Sequence, residues 1–216
     1  MFIGHFAVGL AAKSIKPPLS LGIYFLAVQF ADLLWATLLL FHVEQVIISP
    51  GITAMTPLDF VHYPYSHSLL MVLVWAAIGF ALVYVLTIEL STALLIAACV
   101  GSHWLLDFLT HRPDLPLTLS EATKVGLGLW DHKMATFFAE TALFAGGVFL
   151  YVRSTVALDG VGKIGFWTLI LFLFIISIGN LIGPPPPNVT AIAWAGQLQW
   201  LFVLWAYWVD RRRKVI

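Results

Sequence analysis

Charge is what this chain has least of. Its 216 residues include only 11 acidic and 11 basic side chains, 10% of the total. A soluble domain carries about 25%. That scarcity, with 61% hydrophobic residues, excludes an ordinary water-soluble fold. The formal net charge of zero gives no basic face for nucleic acid; the only basic run is Arg211-Arg212-Arg213-Lys214, the usual anchor beside a final membrane helix. Cysteine is nearly absent too. Cys99 stands alone, so no internal disulfide can form and the redox compartment is undetermined. The N-terminus lacks the charged start and small-residue cleavage site of a signal peptide, so Met1–Ala12 is expected to stay in the mature chain.

What is abundant is long apolar sequence. A membrane span needs about 20 mostly apolar residues, and six stretches qualify: Leu19–Phe41, His67–Ile88, Leu90–His111, Ala135–Val152, Lys163–Ile182 and Thr190–Val209. The expected fold is therefore all-α, a polytopic transmembrane bundle of about six spans plus a short N-terminal segment, forming one integral membrane domain over residues 1–216. Pro17-Pro18 precede the first span, Ser66 is a plausible N-cap for the second, and Pro184–Pro187 make a stiff link between the fifth and sixth. The Pro- and Gly-rich connection Arg112–Met134 reads as an ordered cap. With both termini inside, one face carries Lys13, Lys16, Arg153, Lys163 and the terminal basic run, and the other only Arg112, Lys124 and Lys133. The positive-inside rule expects that asymmetry, giving N-in and C-in topology.

The few polar groups inside these spans fall near the less basic face. Asp32, His103, Asp107 and Glu140 lie within helices, with His62, His67 and His111 at the rim. A charged group at the bilayer centre costs roughly 2.5–3.5 kcal/mol on insertion scales, so it persists mainly where it is paired, coordinated or in use. His103 and Asp107, four residues apart, share one helix face and can reach one cation. His111 continues that stripe about 12 Å from His103 along the axis, better placed for a second ion, for substrate or for orienting Asp107. His62 and His67 flank a turn pinned by Pro64. Gln29, one turn before Asp32, could hydrogen-bond it. His5 sits in an apolar stretch of about eleven residues, too short to span; simple topology puts it on the inner side, away from the cluster.

Gly4-His5, Ala31-Asp32, His62-Tyr63-Pro64-Tyr65-Ser66-His67-Ser68 and Ser102-His103 with Asp107 together resemble the pattern of the YdjM-like family of bacterial inner-membrane proteins, predicted to be membrane-bound metal-dependent hydrolases. The resemblance covers roughly residues 1–110. Tyr63 and Pro64 replace the Arg-Gly of the family's turn, Asp32 stands alone where two carboxylates are common, and Thr110-His111-Arg112-Pro113-Asp114 replaces a small-residue ending. The resemblance implies metal ligands at His5, Asp32, His62, His67, His103 and Asp107, and residence in a bacterial plasma (inner) membrane.

Three functions follow as expectations. The first is a metal-dependent hydrolase of an amphiphilic lipid or phosphoester, with Zn²⁺, Mn²⁺ or Fe²⁺ (Zn²⁺ first) on His67, His103, Asp107 and Asp32. Glu140 or a free carboxylate would be the general base, and His111 or Arg112 would contact leaving group or phosphate. The second is a transporter or permease using the buried carboxylates. The third is a non-catalytic membrane protein whose polar or metal cluster staples the helices. Membrane lipids are the expected partners, and nucleic acid is not.

Overall fold

A computed structural model describes residues 1–16 and 19–216; Pro17-Pro18, expected to mark the start of the first span, lie outside the described residues. The chain forms a helical bundle with three small two-stranded sheets at its ends. Helix α1 (Ile3–Ile15) is followed by α2 (Leu21–Leu40), the hairpin β1 (Gln45–Ile48) and β2 (Leu58–His62), the single turn α3 (Pro64–His67), α4 (Leu69–Thr87) and α5 (Leu90–Thr110). The cap that follows contains β3 (Leu115–Pro116) paired with β4 (Lys124–Val125). Then come α6 (Lys133–Ser154), β5 (Thr155–Ala157), a π-turn leading into α7 (Phe166–Ile182), α8 (Val189–Gln197), α9 (Gln199–Asp210) and β6 (Arg213–Val215), which pairs with β5.

Among the described residues, six segments are long and apolar enough to cross a bilayer: Leu21–Leu40, Leu69–Thr87, Leu90–Thr110, Lys133–Ser154, Val161–Ile182 and Val189–Asp210. They match the six spans read from the sequence to within about two residues at most ends. The molecule is consistent with a membrane-integral protein. Helix α4 is the outermost, with Leu73, Ile78, Leu82 and Val85 exposed, the surface a lipid-facing helix presents. Its N-cap is Ser68, whose side chain accepts from the Met71 amide. Ser66, the residue expected in that role, is used elsewhere because the extra turn α3 shifts the helix start by two residues.

Helix α1 departs most from expectation. At 13 residues it is only about 20 Å long, yet it lies inside the bundle, with Ile3, Phe6, Ala7 and Leu10 fully or almost fully buried against Phe25, Phe144 and Phe202 in one apolar core. Two features let it enter. Gly147 of α6 meets its backbone so closely that a Cβ there would lie 2.5 Å from the Ala7 carbonyl. At the other end, Lys13 is neutralised by Asp210, Nζ to Oδ2 2.9 Å, and also donates to the Leu19 carbonyl. Asp210 additionally accepts from the Leu21 amide and the Tyr151 hydroxyl, tying α1, α2, α6 and α9 together at the basic end. The helix thus runs upward from this anchor, and His5 reaches the depth of Asp107.

Candidate metal centre

Four elements converge. α2 supplies Asp32, the turn α3 supplies His67, α5 supplies His103 and Asp107, and α1 supplies His5. His67, His103, Asp107 and His5 are buried, and the Asp32 side chain keeps 21% of its exposure. The inward nitrogens face the carboxylates. His103 Nε2 lies 3.1 Å from Asp107 Oδ2 and 3.7 Å from Asp32 Oδ1. His67 Nε2 lies 3.5 Å from Asp32 Oδ1 and 3.7 Å from Asp107 Oδ2.

The outer nitrogens decide the tautomers. His103 Nδ1 donates to the Val28 carbonyl at 2.7 Å, so in the neutral ring Nε2 carries the lone pair. It has no hydrogen-bond partner and is buried. His67 Nδ1 lies 2.7 Å from Ser66 Oγ, whose single proton goes to Glu44 Oε2 at 2.5 Å. The hydroxyl must therefore accept from His67, and His67 Nε2 also points its lone pair inward. Glu44 is held in turn by the amides of Tyr65 and Ser66. Histidines locked through Nδ1 with Nε2 free are the usual arrangement around a bound cation. The sequence reading did not single out Glu44; its one signal is a carboxylate in an otherwise sparse loop.

Three of these donors fit an ion. For bonds of about 2.0–2.1 Å a tetrahedral site has ligand–ligand edges of about 3.3 Å, and His67 and His103 Nε2 lie 3.5 and 3.7 Å from Asp32 Oδ1; Asp107 groups within 4.8 Å with His5 and His103 and not with the whole Asp32–His67–His103 set. Asp32, His67 and His103 alone offer three donors within 4.8 Å of one another.

His5 comes to the cluster, against the expectation from topology. Its Nε2 lies 3.1 Å from Asp107 Oδ1, because α1 is inserted and not confined to the inner side. Its donor also falls within 4.8 Å of those of His103 and Asp107, but the His5 and His103 rings are stacked, centroids 3.8 Å apart and planes within 5°. An ion in the plane of one ring stands well out of the plane of the other, so the two imidazoles do not serve one ion. His5 Nδ1 also lacks any partner, unlike the outer nitrogens of His67 and His103. The position suits His5 to donating its Nε2–H to Asp107. The Met1 amino group lies on the same oxygen, 2.6 Å from Oδ1.

The remaining candidates sit apart from the four donors. His62 ends β2 and pairs with Glu121 through Nδ1; the turn at Pro64 sends His67 inward and leaves His62 40% exposed. His62 is therefore not brought to the cluster. His111 donates from Nδ1 to Asp114 Oδ1 at 2.9 Å and packs on Trp130, centroids 4.1 Å apart. Burial pushes its pKa down from 6.5, against the opposing pull of Asp114. Arg112 is committed to Asp59 and to Asp114 Oδ2. Glu140 lies beside the cluster, but its Oε2 accepts from the amides of Phe2 and Gly4 at 2.9 and 3.4 Å, capping the start of α1. Gln29 is fully buried and its amide has no hydrogen-bond partner, so it does not bond Asp32.

A cavity of about 660 Å³ lies on the Met1 and Glu140 side of this group, and its lining includes none of the four donors. Met1, Phe2 and Glu140 line it on the side of the cluster, and loop 50–58, Lys133, Asn180 and Pro184–Pro187 line the rest.

Comparison with protein-family models, curated proteins and solved structures gives no match.

Proposed function

We propose that this chain is a membrane-integral metal protein that hydrolyses an amphiphilic phosphoester, with one divalent ion held by Asp32, His67, His103 and Asp107. The observation that carries the reading is the pair of buried imidazoles whose outer N–H groups are both donated away, leaving two lone pairs aimed at two carboxylates. When bound, a divalent ion polarises an ester oxygen and lowers the pKa of a coordinated water. The protein's own contributions are distinct. His5, stacked on His103, holds the other oxygen of Asp107, Oδ1, Ser66 and Glu44 fix the His67 ring, and the apolar bundle keeps bulk water away. Glu140 is engaged by α1 through its Oε2, and His111 is held by Asp114 apart from the four donors. Following the basic residues, the end carrying Lys13, Lys16 and Arg211–Lys214 faces the cytoplasm of a bacterial inner membrane.

A second reading is favoured by the number of donors. Four protein ligands close a tetrahedral site, as in structural zinc centres, whereas a six-coordinate Mn²⁺ or Fe²⁺ keeps positions for water and substrate. Coordination number separates the two. X-ray absorption on metal-loaded protein with at least one oxygen beyond the four protein donors, together with metal-dependent release of phosphate from a lipid phosphoester, supports the hydrolase. A four-coordinate centre with no turnover of phosphomonoester or phosphodiester lipids makes the site a staple. The transporter reading has no comparable observation behind it.

A further inference from the structure

The cations at the hairpin end are unequal. Arg112 is neutralised by Asp59 and Asp114. Lys124 lies 3.4 Å from Glu121 and also donates to the Val61 carbonyl. Lys133, at the first turn of α6, is half-buried, lines the cavity, and among the described residues has no carboxylate within salt-bridge distance. The sequence reading assigned phosphate contact to His111 or Arg112; the structure leaves Lys133 as the cavity's unspent side-chain cation.

The rest of the lining is of another character. Leu58, Ile192, Ala195, Pro184 and Pro186 make apolar walls, and the proline run gives one wall a stiff extended backbone that is formed before anything binds. Glu140, the one carboxylate in the lining, lies deep beside Met1 and Phe2, its Oε2 held by amides. An anion is thus drawn toward Lys133 and repelled from the floor. A site for free phosphate commonly brings several donors, an arginine fork or a row of amides; one lysine among apolar walls gives too few. Binding here must draw on buried apolar surface as well. The volume suits one small-molecule-sized group, a headgroup with the start of a chain.

We propose that this cavity holds the phosphate-bearing headgroup of a lipid, with Lys133 as its counter-ion and the Leu58–Ile192–proline walls around its glycerol and first methylenes. This names the substrate class for the hydrolytic reading and rests on it for the chemistry.

The test uses the full chain in phosphatidylcholine vesicles containing phosphatidylglycerol that bears a photoactivatable group near the headgroup. Label is expected in residues 50–58 or 183–195. It should fall at least about fivefold in Lys133→Met and hold in Lys124→Met, since one lysine beside anionic lipid is worth about that factor. Unlabelled phosphatidylglycerol should compete, and equal concentrations of phosphatidylcholine or inorganic phosphate should not. Label confined to the exposed face of α4, or unchanged in Lys133→Met, overturns the proposal; competition by inorganic phosphate overturns the lipid as its source. Metal content is read on the same samples. Metal present without Lys133-dependent label sinks this inference alone, and cavity label without metal sinks the hydrolytic reading.

Discussion

Ser66 offers a sharp probe of the site because it touches no ion yet controls a ligand. In Ser66→Ala, His67 Nδ1–H loses the acceptor at 2.7 Å and is left buried and unpaired, which costs about 1–3 kcal/mol. The ring is then free to turn or change tautomer, and Nε2 no longer presents a fixed lone pair to Asp32 and Asp107. Glu44 keeps its bonds from the amides of residues 65 and 66, so the α3 turn should survive. Loss of such an outer partner typically weakens metal binding about 10–100-fold, which is roughly 1.4–2.7 kcal/mol. Competitive titration against a chelator, on detergent-purified wild type and variant, measures the change. Ser68→Ala is the control: it removes the N-cap of α4 and about 1 kcal/mol of stability but should leave metal affinity alone. If Ser66→Ala binds metal within twofold of wild type, Ser66 does not lock His67 and the tautomer argument fails.

Asp210→Asn should leave Lys13 buried with its ion partner gone and lower stability by about 3 kcal/mol, read as a melting point down by roughly 10 °C; a change under 2 °C would remove Asp210 as the anchor of α1. Gly147→Ala forces a Cβ against the Ala7 carbonyl and should cost about 1–3 kcal/mol while weakening metal binding through α1. Gly146→Ala, with nothing within 4 Å of its Cβ, should do neither. Because burial lowers the His111 pKa below 6.5, the unfolded chain protonates first as pH drops. The His111 contribution is therefore fully present above about pH 6.5 and is lost below it. Melting curves from pH 8 to 5 should show that fall, flattened in His111→Gln; parallel curves for the two proteins would contradict it.

The spans were legible because apolar runs of about 20 residues have few other uses. So was the His103–Asp107 pair, since a four-residue spacing on a helix places two side chains on one face whatever the tertiary context. Three things depended on contacts that no local pattern encodes. His5 looked stranded because its helix is too short to span; the Lys13–Asp210 pair, joining residues nearly two hundred apart, lets that helix enter the bundle. His62 and His67 look equivalent as sequence, and only the direction of the turn at Pro64 separates an exposed pair with Glu121 from a buried donor. Arg112 read as a free cation until the fold placed Asp59 and Asp114 against it. Glu44 drew no notice because its job is to position a hydroxyl that positions an imidazole.

The most direct measurement is elemental mass spectrometry of the metal bound to protein purified without chelators, wild type beside Asp107→Ala and His103→Ala, with helicity checked by circular dichroism. The account predicts close to one transition-metal ion per wild-type chain, lost in both variants while helicity is retained. A wild-type protein carrying no such ion, or variants that keep it in full, would contradict the metal centre.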